Sequence, residues 1–163
     1  MQSFAEWLVT TQVSMFVSGH AWVWPACESL HFIGLALLIG NVGLFDLRLL
    51  GVETRLPAAP LGRFIRWAVV GFAINLVTGL MFFAGNPFQY INNVAFGYKI
   101  AFIALAGLNV VVFYASGVHR QVEALGPGDD APALAKCIAA TSLFLWVAVM
   151  YMGRMLPYIG NSF

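Results

Sequence analysis

Residues 26–50 read ACESLHFIGLALLIGNVGLFDLRLL and are the most informative stretch of the chain. The run is largely apolar, and its ionisable residues lie near its two ends, with Glu28 and His31 close to its beginning and Asp46 and Arg48 close to its end. As a helix it would be about 37 Å long at 1.5 Å per residue, slightly more than the hydrocarbon core of a bilayer. The stretch therefore predicts a membrane-spanning helix with ionisable groups near both ends.

The composition of the whole chain agrees with a membrane protein. Of 163 residues, 61% are hydrophobic and only 9% are charged, and the mean hydropathy is +0.84. A soluble globular protein carries about 25% charged residues. The net charge of +1 gives no basic field that would attract nucleic acid. We expect the lipid bilayer, and not nucleic acid, to be the main partner of this chain.

The hydrophobic pattern predicts an all-α integral membrane four-helix bundle, a single transmembrane domain over residues 1–163. An N-terminal amphipathic helix over 3–19 is too polar to span the membrane, so we expect it to lie at the interface. Prolines and glycines interrupt the apolar runs and separate the spans. The predicted spans are about 26–50, 63–84, 96–119 and 132–156.

The distribution of basic residues predicts the orientation. Lysine and arginine near the ends of spans mark the cytoplasmic side. Two of these residues, Lys99 and Arg154, lie near one end of the predicted bundle. The other six lie near the opposite end: Arg48, Arg55, Arg63, Arg66, Arg120 and Lys136. We therefore expect both termini, together with Glu28 and His31, to face away from the cytoplasm.

Ionisable groups inside a membrane span indicate function, but structural explanations compete with that reading. An interfacial salt bridge to a neighbouring arginine would account for Asp46. Glu28 could pair with Lys99 or Arg154 and join three helices. His31 lies one helical turn deeper than Glu28, and such a pairing does not explain it. A lone histidine could also be a hydrogen-bonded structural residue.

The surroundings of His31 favour a cofactor. Gly34 removes a side chain one turn further along the same face. Asn75 and Thr78 on the second span would bring polar groups opposite the imidazole. Four-helix bundles build cofactor sites from facing helices, and histidine is a common axial ligand of b-type haem. We predict that His31 binds the iron of one haem b, positioned or charge-balanced by Glu28, with Lys99 and Arg154 anchoring the propionates.

Other metal centres fit the sequence less well. Di-iron bundles need further glutamates on facing helices, and the other three spans carry no carboxylate at this level. Zinc requires three or four cysteine, histidine or carboxylate ligands. With three histidines in the chain, two haems with four histidine ligands are excluded. The coordination number and a sixth ligand stay open, with Met152, His20 and Lys99 as candidates.

Two short stretches resemble the small bacterial membrane protoporphyrinogen IX oxidase family. One runs from His31-Phe-Ile-Gly34 through Gly43-Leu44-Phe45 to Arg48-Leu49, and the other is Phe96-Gly97-Tyr98-Lys99. The resemblance implies b-type haem, with His31 and Lys99 as the essential residues. If the protein is an enzyme, it implies a membrane oxidoreductase of that type.

A second resemblance covers nearly the whole chain. Glu28-x-x-His31 and the run Phe45-Asp-Leu-Arg-Leu-Leu-Gly51 are similar to an uncharacterised bacterial four-helix integral membrane family. This resemblance implies the fold and a location in the bacterial inner membrane, and it implies no activity.

Together these observations predict a multi-pass inner-membrane protein that holds one haem near the outer leaflet and takes part in electron transport. Its electrons would pass to or from quinone or a redox partner protein. The alternative is a non-redox membrane subunit or a proton-linked carrier that uses Glu28 and His31. The substrate, the catalytic residues and the assembly into homo-oligomers stay open.

Overall fold

A computed structural model of the chain describes residues 2–52 and 54–159. All regular secondary structure within these ranges is helical. The helices are α1 (Gln2–Val9), α2 (Gln12–Gly19), α3 (Val23–Leu49), α4 (Ala58–Leu61), α5 (Phe64–Gly85), α6 (Pro87–Ile91), α7 (Val94–Ala115), α8 (Val118–Glu123) and α9 (Ala133–Met155).

Helices α3, α5, α7 and α9 form the predicted four-helix membrane bundle. They contain 27, 22, 22 and 23 residues, and the mean hydropathy of their most apolar windows is 1.8 to 1.9. At 1.5 Å per residue even the shortest is about 33 Å long, enough to cross a bilayer. The chain is thus a multi-pass membrane protein whose outward-facing apolar side chains contact lipid.

The spans begin and end within a few residues of the predicted positions, except at the end of the third span. Helix α7 ends at Ala115 and not at residue 119, and α8 follows as a separate helix. Gly117 separates the two with a φ of +75°, a left-handed conformation that glycine adopts at little cost. The last residues of the predicted third span therefore belong to a connection outside the bundle.

The predicted N-terminal helix over 3–19 is wrong as a single element, because the chain forms α1 and α2 instead. Thr10 and Thr11 each donate a side-chain hydrogen bond to a carbonyl three residues earlier. Thr11 also caps α2, since its hydroxyl accepts from the backbone N–H of Ser14 at 3.3 Å. Threonine side chains compete with helical hydrogen bonds in this way, and the result is a break. α1 packs on α6, and α2 packs on α5.

The four spans associate as two pairs. The first pair is α3 with α5, the second is α7 with α9, and contact between α3 and α9 joins them. In contrast, α5 and α7 follow each other along the chain but share little backbone contact. We call the end where α3 begins and α5 ends the His31 end, and the opposite end the Arg48 end. Helices α1, α2 and α6 lie at the His31 end, and α4 and α8 at the Arg48 end.

Arg48 is buried at the Arg48 end and binds two loops there. Its side chain is 1% exposed. The guanidinium donates to the backbone carbonyls of Leu56 in the first loop and of Gly126 and Asp129 in the third loop. Beside it, a hydrophobic cluster packs Leu49 against residues of α4, α8 and α9. The buried arginine therefore joins the end of α3 to two loops that are far apart in sequence.

Candidate functional site

His31 lies about two turns into α3 and is half-buried against α5. Its Nδ1 is 2.7 Å from the hydroxyl of Thr78. That hydroxyl donates its own hydrogen to the carbonyl of Ile74 at 2.8 Å, so it accepts from the ring N–H. We assign the proton to Nδ1 from these two bonds, which leaves the lone pair on Nε2. The side-chain nitrogen of Asn75, 3.3 Å from the same Nδ1, then donates to the backbone carbonyl of His31 and not to the ring. The edge of the ring meets Phe82, with the ring centroids 5.7 Å apart.

Asn75 connects the backbone of α3 to α5, one turn from Thr78. With the amide oriented to satisfy both of its ends, its nitrogen donates to the carbonyl of His31 at 2.7 Å. Its oxygen accepts from the backbone N–H of Leu35 at 3.0 Å. Of the two polar residues expected opposite His31, Thr78 therefore orients the ring, while Asn75 holds the helix that carries it.

Gly34 lies in the tightest contact of the bundle. A Cβ there would be 2.9 Å from the carbonyl oxygen of Gly71 and 3.1 Å from the side-chain amide of Asn75. The two glycines let the backbones of α3 and α5 approach closely, as small residues do in membrane helix pairs. The space expected beside the imidazole at this position is thus filled by α5.

Glu28 is exposed at the His31 end and has partners of its own. Its carboxylate accepts from the indole N–H of Trp24 at 3.1 Å. Burial, and then the charge of Glu28, raise the pKa of Tyr90 on α6. Among the described residues it forms no ion pair and no hydrogen bond with His31. The expected salt bridge from Glu28 to Lys99 or Arg154 is therefore not formed.

The side chain of Lys99 extends from α7 across the face of α9. Its Nζ is 3.6 Å from where a Cβ would stand at Gly153, so this glycine makes room for the lysine. Lys99 forms no ion pair with any residue in 2–52 or 54–159. Arg154, the neighbour of Gly153 in the last turn of α9, is exposed.

Aromatic side chains bridge the gap between the two helix pairs at two levels. Near the His31 end, Phe83 of α5 stacks on Phe96 of α7 at 5.8 Å between ring centroids. Deeper in the bundle, Phe72 of α5 meets Trp146 of α9 edge to face at 6.4 Å. Phe72 and Phe83 are about 16 Å apart along the axis of α5. His31 and Lys99 both lie in the half of the bundle between the Phe72–Trp146 contact and the His31 end.

Asp46 does not form the salt bridge that was predicted for it. Asp46 is 5% exposed and Ser142 of α9 lies next to its carboxyl, whose Oδ2 has no hydrogen-bond partner within residues 2–52 and 54–159. No described residue forms an ion pair with it, so the expected salt bridge to a neighbouring arginine is absent. Ser142 was not among the predicted site residues. Its place on the buried face of α9 was the only signal in the sequence that it could meet a polar partner.

The fold and the site define a four-helix membrane protein with one histidine held by a hydrogen bond between two spans. The chain belongs to the DUF6644 family, a family of unknown function, whose model matches residues 4–161. No curated protein and no solved structure is significantly similar to it.

Proposed function

We propose that the protein binds one b-type haem at the His31 end of the bundle and carries electrons in the membrane. His31 would be an axial ligand. The observation that carries this proposal is the hydrogen bond from Nδ1 to Thr78, because it leaves the lone pair on Nε2. Histidine ligands of metals are typically fixed by a hydrogen bond from the other ring nitrogen.

The charge of Lys99 supports the same proposal. A cation inside a membrane span is costly unless a counter-charge lies near it. No such carboxylate is found among the described residues, since Glu28 is bonded to Trp24 and Asp46 lies at the Arg48 end. A haem propionate would supply the missing negative charge. Arg154, exposed beside Gly153, is placed to meet a second propionate at the surface.

Each protein group has a defined task in this proposal. Thr78 keeps the His31 ring in one tautomer and one orientation, and Phe82 limits its rotation from the side. Lys99 would contribute positive charge at the same end of the bundle. A bound haem would supply one-electron redox chemistry, with quinone or a partner protein as the other reactant. The resemblance to the protoporphyrinogen IX oxidase family favours the same two residues, His31 and Lys99.

Reconstitution of the purified protein with haemin tests the proposal. We expect a Soret band with one haem per chain in the wild type and none in His31→Ala. We expect Thr78→Val to bind haem about tenfold to a hundredfold more weakly, as loss of a partner of a ligand does. Lys99→Met should weaken binding by about tenfold through loss of one charged hydrogen bond. The control is His119→Ala, since that residue lies in α8 beyond the opposite end of the bundle.

Two results would overturn the haem proposal. One is a wild-type protein that shows no Soret band after reconstitution in detergent and in lipid. The other is a band that His31→Ala and His119→Ala leave equally unchanged. A haem-free protein whose transport activity follows the titration of His31 would instead favour the proton-linked carrier.

The location of the site relative to the cell is part of the proposal. Six basic residues at the Arg48 end against two at the His31 end favour a cytoplasmic Arg48 end in a bacterial inner membrane. Single cysteines at Asn92 and Glu123, both exposed, introduced after Cys27 and Cys137 are replaced by serine, would report the two sides in intact cells. An impermeant maleimide should label Asn92→Cys and spare Glu123→Cys; the reverse pattern would invert the orientation.

A further inference from the structure

A shallow concavity on the outer surface of α5 at the Arg48 end has no role in the proposed haem site. It has a volume of about 380 Å³ and is lined by Arg63, Arg66, Trp67 and Val70. These positions are spaced by three and four residues, so they share one face of the helix. All four side chains are exposed, while the face of α5 that packs on α3 carries Gly71 and Thr78.

The charge of this concavity is uncompensated within the described parts of the chain. Neither Arg63 nor Arg66 forms an ion pair there. The two guanidinium groups are three residues apart, a spacing at which like charges repel. They also stand at the N-terminal end of α5, where the helix dipole is positive and no acidic residue is present in the first turn. Two guanidinium groups and the positive end of the helix dipole therefore lie close together, and a bound anion would reduce the repulsion between them.

The position of the concavity along the membrane normal indicates which kind of anion it would bind. α5 has 22 residues, so its length of about 33 Å matches the bilayer core and its first turn reaches the headgroup level. Trp67 is exposed at this level, where tryptophan is enriched at membrane interfaces. Val70 and Val77 continue as an exposed apolar surface toward the membrane centre, suited to an acyl chain. A phosphate at this depth belongs to a lipid.

We propose that Arg63, Arg66 and Trp67 form a binding site for the headgroup of an anionic phospholipid. The two arginines hold the phosphate, and the indole covers the glycerol region. This site is independent of haem binding, since it lies at the opposite end of the bundle from His31.

Titration of the delipidated wild-type protein in neutral detergent tests the site, with bound lipids counted by native mass spectrometry. We expect phosphatidylglycerol to bind and phosphatidylcholine to bind much more weakly. Each basic residue near an anionic surface strengthens binding by about fivefold, so Arg63→Gln/Arg66→Gln should bind phosphatidylglycerol about thirtyfold more weakly. The matched control is Arg55→Gln/Arg120→Gln, which removes two exposed cations from the same end outside the concavity and should bind as the wild type does.

The lipid comparison in the wild type needs no variant, so the test stands even if the double variant does not fold. Equal binding of the two lipids would overturn the proposal. Equal losses in the two double variants would show a general charge effect and would also overturn it. Displacement of phosphatidylglycerol by an equal concentration of inorganic phosphate would identify the ligand as a soluble anion and not a lipid.

Discussion

A histidine ring in a membrane span needs hydrogen-bonding partners, because lipid supplies none. Thr78 provides one partner for His31, and its hydroxyl is in turn directed by the carbonyl of Ile74. The ring is therefore oriented whether or not a ligand occupies Nε2. This separates two contributions of Thr78, one to stability and one to binding, which can be measured independently.

Replacing Thr78 by valine keeps the shape of the side chain and removes the hydroxyl. We expect Thr78→Val to lower the free energy of unfolding by about 1–3 kcal/mol, since the ring nitrogen loses its partner. Unfolding of the haem-free protein in mixed detergent micelles measures this. The control is Thr141→Val, because Thr141 is exposed on α9. Equal stabilities of the two variants would contradict the role given to this hydrogen bond.

Two asparagines inside the spans, Asn41 and Asn109, have hydrogen-bond partners of different kinds. Asn109 bonds between helices, donating from α7 to the carbonyl of Ile138 on α9 at 3.0 Å. Asn41 donates to Leu37 within its own helix instead. An asparagine can reach the carbonyl four residues earlier as readily as a neighbouring helix, so the sequence alone does not distinguish the two outcomes.

At the scale of the elements, α5 carries two glycines whose surroundings differ. A Cβ at Gly71 would lie 2.5 Å from the carbonyl oxygen of Gly34 and 2.7 Å from the backbone nitrogen of Leu38. A Cβ at Gly79 would meet nothing within 4 Å. The first glycine is required by close packing, and the second is not.

We therefore expect opposite results from two alanine substitutions eight residues apart. Gly71→Ala should force α3 and α5 apart and cost about 1–3 kcal/mol of stability, as overpacking does. Gly79→Ala should be neutral or stabilise by about 0.5–1 kcal/mol, because alanine favours the helix. Thermal unfolding of both proteins in the same detergent compares them directly. A Gly71→Ala protein as stable as the wild type would show that the helix pair is loosely packed.

The ends of helices were harder to predict than their existence. The four apolar runs were long enough to identify every span. In contrast, the break at Thr10 and Thr11 depends on whether two hydroxyls turn back onto the chain. The end of α7 at Ala115 depends on the left-handed conformation of Gly117. The break and the helix end both depend on local conformations of similar energy, and the hydrophobic pattern of the sequence does not distinguish between them.

At the scale of the molecule, the four-helix bundle was predicted correctly and the pairing of its helices was not predicted. Short loops favour neighbouring antiparallel helices, but they do not say that α5 and α7 stay apart. The loop at residues 126–130 is held by Arg48 and by a backbone hydrogen bond from Gly128 to Thr54 at 2.8 Å. These contacts join parts of the chain that a local pattern cannot relate.

Arg48 should therefore matter more for stability than any other arginine at its end of the bundle. Arg48→Met removes the donor for three backbone carbonyls, and we expect a loss of about 3 kcal/mol or more. Both loops should then be cleaved faster by proteinase K, a protease of broad sequence specificity, added to the solubilised protein. The control is Arg120→Met, since Arg120 is exposed on α8. Equal cleavage of the two variants would argue against the role of Arg48 as a connection.

The pairing of helices in chain order has a consequence for biosynthesis. Helices α3 and α5 both leave the ribosome before α7 is made, so their glycine contact can form while the rest of the chain is still being translated. Helix α7, which carries Lys99, can pair with α9 as soon as α9 has been inserted. Each newly inserted span finds its main partner in the span made just before or just after it, and the translocon never has to hold a charged helix for long.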